Sequence, residues 1–184
     1  IGAQATDSTL ATRVTRWEVL TASGALLPTG TQRSAIKRAA LSTAQVMYLV
    51  GPRLAVTTTI GWGRSRDLLA EGTPKLSVFT YDVGFEGRGP QWRQRSALAV
   101  APFAGVGVGG RSYDHRGRDV DATHNVAAYA SLGGELGAGR VRLRIEGRDY
   151  LSRFTSITGG GRATTRQDFT LLAGLRLTRK RAVE

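Results

Sequence analysis

The chain contains no cysteine, so neither disulfides nor thiolate metal sites hold it together. Lysine is nearly missing too. Of 26 basic residues only Lys37, Lys75 and Lys180 are lysine, and the others are arginine. No apolar run approaches the ~18 residues that a membrane-crossing helix needs, which excludes a transmembrane helix. Histidine is limited to His115 and His124, so histidine-rich metal chemistry has little to draw on. A charged fraction of 22% beside 41% hydrophobic residues excludes a disordered polar tail. At 184 residues there is enough chain for one domain or one closed barrel.

What remains is arginine, glycine and alternation. The formal charge is +12, which suits polyanionic partners such as nucleic acid or anionic lipid headgroups. The arginines are spread along the chain instead of massed in one basic arm, which argues against nucleic acid. GC-rich coding would also favour arginine over lysine.

Period-two alternation dominates the sequence. From Val141 to Glu146 every odd residue is apolar and every even one charged. Phe79, Tyr81, Val83 and Phe85 alternate with Thr80, Asp82, Gly84 and Glu86. Eight such segments follow one another: 16–27, 39–50, 53–64, 76–88, 96–111, 124–136, 140–152 and 167–178. Residues 34–41 also carry helix-favouring Ala, Lys, Arg and Leu, so a short helix is an alternative there. The connections sort into two kinds. Gly51-Pro52, Gly137-Ala138-Gly139 and a modest stretch near 89–95 are short, whereas 28–38, 65–75, 112–123 and 153–166 are long and polar. Short turns alternating with long loops are the pattern of transmembrane β-barrels. The expected fold is therefore all-β: an eight-stranded antiparallel up-and-down transmembrane barrel.

One strand face is apolar and the other collects charge. The charged face holds Glu18, Asp82, Glu86, Glu135 and Glu146 together with Arg53, Arg142, Arg144, Arg148 and Arg176. An eight-stranded barrel is only wide enough inside to be filled by side chains. Charges there must pair, because lone ions in a low-dielectric interior are very costly. A lumenal ion-pair network that plugs the barrel is the expectation, although alternation alone leaves open which face is inside. Ala97, Ala99, Ala101, Gly105, Gly107 and Gly109 give the fifth segment a small face with room for long arginines. Trp17 and Phe85 fall at the turn side, and Trp62, Tyr150 and Phe169 at the loop side, as interfacial aromatics do.

The strands Pro102–Gly110, Arg144–Leu151 and Phe169–Leu177 resemble the outer-membrane β-barrel proteins of the OmpA/OmpX type, and the resemblance covers nearly the whole chain after Arg16. It implies a bacterial outer-membrane location with both termini in the periplasm. Ala3-Gln4-Ala5 has the small-x-small form of a signal-peptidase site, so 1–5 reads as the end of a signal peptide. Residues 6–15 then read as an N-terminal extension, 16–178 as the barrel and 179–184 as a short basic tail. That tail departs from the family, whose barrels usually finish on an aromatic residue that aids insertion.

Little points to chemistry. His115 and His124 lie near Asp114, Asp119 and Asp121 and are weak candidates for a metal. The plainer reading is a solvated loop, and no cofactor or metal is expected. Ser112 beside His115 suggests a nucleophile without a motif to fix its geometry. The expected role is structural or interactive, not enzymatic. Four external loops would contact a ligand, another envelope protein, a second copy, or lipid phosphates, including lipopolysaccharide, through Arg64, Arg66, Arg111, Arg116, Arg118 and Arg153. The rivals are a soluble, lipocalin-like ligand-binding barrel, an outer-membrane enzyme, and a small pore.

Overall fold

The computed structural model describes residues 17–93, 98–116, 123–138, 140–154 and 164–178, without the side chains of Thr31, Arg93, Thr123, Arg153, Phe154 and Thr164. The expected leader, extension and basic tail (1–5, 6–15 and 179–184) lie outside the described residues. The strands are β1 (Trp17–Pro28), β2 (Ala39–Leu49), β3 (Leu54–Arg66), β4 (Lys75–Arg88), β5 (Trp92–Arg93), β6 (Ala99–His115), β7 (Thr123–Ala138), β8 (Val141–Phe154) and β9 (Thr164–Thr178). Each long strand pairs antiparallel with its neighbour, in the order β4-β3-β2-β1-β9-β8-β7-β6. Direct β4–β6 pairing closes the sheet into a barrel of eight strands, which leaves no free edge. The two-residue β5 only pairs with the start of β6.

Closure follows from the alternation. On β3 the inward residues are Ala55, Thr57 and Thr59, all buried, while Leu54, Thr58, Ile60 and Trp62 face out and are exposed. The same division holds for Val19, Val83, Val108, Leu132, Leu143 and Leu175, which form an apolar outer wall. Carboxylates and guanidiniums lie inside. That arrangement overturns the soluble-barrel alternative, which required an apolar cavity and a polar exterior. A water-exposed wall of this kind would be an aggregation surface; against lipid it costs nothing.

Two sequence expectations are corrected. The short helix offered as an alternative over 34–41 does not form, and the strand from Ala39 does. The loop after β1 makes a 3-10 turn at Gly30–Ser34, Ile36 bridges to Asp67, and β2 has begun by Ala39. Ladder hydrogen bonds on both sides and burial of Ala39 and Leu41 outweigh the weak local helix preference. The third and fourth long loops are shorter than expected, because β6 runs on to His115 and β9 already starts at Thr164.

The loop after β1 does not stand away from the barrel. Its Ala35 and Ile36 are buried with Leu26, Leu41, Leu76, Val78, Tyr113 and Leu172 in an apolar cluster within the loop-side mouth. Gln32 reaches further in, with Nε2 donating to Asp168 at 3.3 Å. The start of β1, the end of β9 and the β2–β3 turn lie at the opposite rim.

Candidate functional site

Nearer the turn rim, six side chains from five strands close an alternating ring of charge. Glu18 (β1) meets Arg88 (β4) at 2.6 Å and Arg88 meets Glu86 at 3.0 Å. Glu86 meets Arg144 (β8) at 2.6 Å, and Arg144 meets Glu135 (β7) at 3.1 Å. Arg176 (β9) joins Glu135 at 2.9 Å and returns to Glu18 at 3.2 Å. A branch leads up the lumen from Arg144 to Glu146 at 2.9 Å, then through Arg148 to Asp82 at 3.5 Å. Tyr150 donates its hydroxyl to Asp82 at 2.6 Å. Closer to the loops, Arg111 and Asp168 form a separate pair at 2.5 Å.

Arginine is what this lumen requires. A guanidinium offers five donors in a plane that also stacks, whereas an ammonium offers one charged point. Arg144 serves Glu86, Glu135 and Glu146 together while its Cζ lies over the Phe103 ring, 3.4 Å from the centroid. Arg111 stacks on Tyr150 at 4.0 Å and Arg148 on Tyr129 at 5.0 Å. Tyr129 fits because its neighbours are glycine. A methyl on Gly107 would sit 2.5 Å from its ring, and one on Gly84 would sit 2.3 Å from its hydroxyl.

Of the residues expected in the lumen, Glu18, Asp82, Glu86, Glu135, Arg144, Glu146, Arg148 and Arg176 are buried and brought together. Arg53 is not among them: it is exposed in the β2–β3 turn, beyond the last inward position, Ala55. Arg142 is half-buried beside the turn rim and engages none of these pairs. Arg88, Arg111 and Asp168 were missed, though each shares parity with an inward residue of its own strand. Arg111 belongs inside, fully buried, and not on the rim where it was expected. Phe103 interrupts the small face of β6, and Ala97 lies outside the described residues.

Among the aromatics, Trp17, Phe85, Trp62 and Phe169 face outward near the strand ends, and Trp17 packs against Tyr48 in a tilted arrangement with centroids 4.8 Å apart. Tyr150 does not belong with them. It is 4% exposed because its even position on β8 points it into the lumen with Arg148.

The histidines do not converge. His115 faces inward and bonds Asp67 at 2.9 Å, while His124 faces outward with Nδ1 2.6 Å from Ser112 Oγ. Ser112 is therefore paired with His124 and not with His115. Among the described residues no cluster of three metal-ligating side chains occurs, and Asp119 and Asp121 lie outside them. Of the rim arginines, Arg64, Arg66 and Arg116 are exposed at the loop side. Arg118 and the side chain of Arg153 lie outside the described residues.

No protein-family model matches the sequence, and no curated protein sequence matches it either. Solved structures do match by shape. Neisserial surface protein A superposes with a TM-score of 0.59 at 13% identity, over 88% of this chain and 96% of that one. The outer membrane protein AlkL, solved by solid-state NMR in DMPC lipid bilayers, gives 0.53 at 15% identity, over 100% and 99%. The fold is that of the eight-stranded outer-membrane barrels of the OmpA/OmpX type.

Proposed function

From that fold, we propose that the chain resides in the bacterial outer membrane as a plugged barrel, a scaffold that holds four loops and a basic rim outside the cell. The observation that carries this reading is the closed ring of Glu18, Arg88, Glu86, Arg144, Glu135 and Arg176, backed by the apolar cluster under the first loop. The two seals lie in series. Ions crossing the lumen would have to break buried pairs and then part Ile36 from Leu26 and Leu76.

Its work is then contact, not conduction or catalysis. Partners are sought among outer-leaflet lipid phosphates, envelope proteins and external ligands that reach the loops.

Purified barrel in planar bilayers tests the reading. Wild-type protein that shifts on a heat-modifiability gel should show no conductance steps. Stable open-channel steps from the same preparation would replace the scaffold with a pore.

A further inference from the structure

We propose that the outer face of the loop-side rim, across β2, β3, β4 and β6, binds the phosphorylated headgroup of an outer-leaflet lipid. The inference rests on the membrane reading above and names a partner for it.

The backbone itself brings the cations together. Lys37 donates its N–H to the Arg66 carbonyl at 3.0 Å, Arg66 pairs in register with Lys75, and Arg116 donates to the Lys75 carbonyl at 3.0 Å. Four neighbouring chain segments thus place a basic residue at one level. Arg38 and Arg64 join them around a cleft of about 340 Å³, floored by Ser77, which accepts from Arg116 Nε at 2.9 Å. Among the described residues no carboxylate lines the cleft. Asp114, opposite Ser77 in register, lies beside it.

The contrast with the lumen identifies the ligand's charge. Every arginine of the ring and its branch has a carboxylate partner. Among the described residues no ion pair engages Arg38, Arg64, Arg66 or Lys75. Like charges at this density repel one another, and a multiply charged anion relieves the repulsion while using arginine's paired donors.

The position identifies the ligand's other end. Arg64 and Arg66 are outward residues that continue the lipid-facing row of Ile60 and Trp62. Arg64 stacks over the Trp62 ring at 4.8 Å. Phe79 and Tyr81, the register partners of Trp62 and Ile60, extend this belt directly beneath the cleft, and all four are exposed. Trp62 and Arg64 are two positions apart on the strand, roughly 7 Å along it. A molecule with phosphates at the cleft therefore has its acyl chains against the apolar wall. A soluble anion would use the cations and leave the belt unused.

The test uses full-length barrel purified in detergent and native mass spectrometry. The probes are a bis-phosphorylated acylated glucosamine disaccharide, its dephosphorylated form, and a soluble glucosamine phosphate. Wild-type protein should retain the phosphorylated lipid at least tenfold more strongly than either of the others. The variant Arg64→Gln/Arg66→Gln/Lys75→Gln/Arg116→Gln should lose that advantage, whereas Arg53→Gln/Arg140→Gln at the turn rim should keep it. Equal binding of the soluble phosphate would overturn the lipid assignment, and undiminished binding by the fourfold variant would overturn the site. A heat-modifiability gel on every variant separates the two levels. A barrel that shifts normally but does not discriminate sinks this inference alone, whereas a wild-type protein that needs no detergent sinks the membrane reading with it.

Discussion

Arg144 and Glu86 meet at 2.6 Å although β7 and β6 separate their strands on one side of the barrel and four strands separate them on the other. The contact crosses the lumen and ties opposite walls together. Replacing Arg144 with Met would leave Glu86, Glu135 and Glu146 buried without their shared cation. Breaking a buried pair in this way costs about 3–5 kcal/mol. Urea unfolding in micelles should show a loss of that order, with the folded gel band disappearing at lower temperature. Arg144→Lys should recover only part of it, since one ammonium cannot reach three carboxylates and also lie flat on Phe103. Wild-type stability in Arg144→Met would mean that the ring is ornamental.

Much of this was legible in the residues. Parity alone assigned Asp82, Glu86, Arg144, Glu146 and Arg148 to one face, because a strand's side chains alternate whatever surrounds it. Loop lengths gave the rims. Parity also held Arg88, Arg111 and Asp168, but they stand close to strand ends, where sequence does not say how far the ladder continues. Tyr150 failed for a related reason. An aromatic near a strand end suits the interface equally well from the sequence, and only its even position beside Arg148 settles that it points inward. Pairs two apart on one strand, such as Arg88–Glu86 and Arg144–Glu146, follow from parity, but Arg88–Glu18, Arg144–Glu86 and Arg176–Glu18 were not legible, because they join strands far apart in sequence and depend on how the barrel closes.

The outer wall makes its own prediction. Ile60 is 62% exposed in the middle of β3, with Thr58 and Trp62 beside it on the same face. In a bilayer, Ile60→Arg places a charge near the hydrocarbon midplane and should cost roughly 2–4 kcal/mol. On a water-exposed wall the same change would be neutral or would improve solubility. Folding into lipid vesicles, followed by the gel shift and by urea titration, reads the difference. Val108→Arg, equally exposed on β6, should behave alike. An arginine tolerated at both positions would be incompatible with a lipid-facing wall.

The contact between Asp67 and His115 fixes the loop between β3 and β4, and its pH dependence has a definite sign. Burial alone pushes the Asp67 carboxyl up. The hydrogen bond from His115 and those from the Leu69 and Ala70 amides more than offset it, so the net position is below the ordinary carboxylate range. A group whose folded value is lowered stabilises the fold above its unfolded value, and that contribution fades as pH falls through the lower, folded one. The loop should therefore keep its contacts through about pH 4, where a free aspartate is half protonated, and release them only below it. The Leu69 and Ala70 amide resonances, followed by NMR in micelles, should titrate together with a midpoint under that of a free aspartate. Asp67→Asn should abolish the transition and leave both amides near their acid-state positions at neutral pH. A midpoint at or above the ordinary value would show that burial, not the amides and His115, governs this carboxylate.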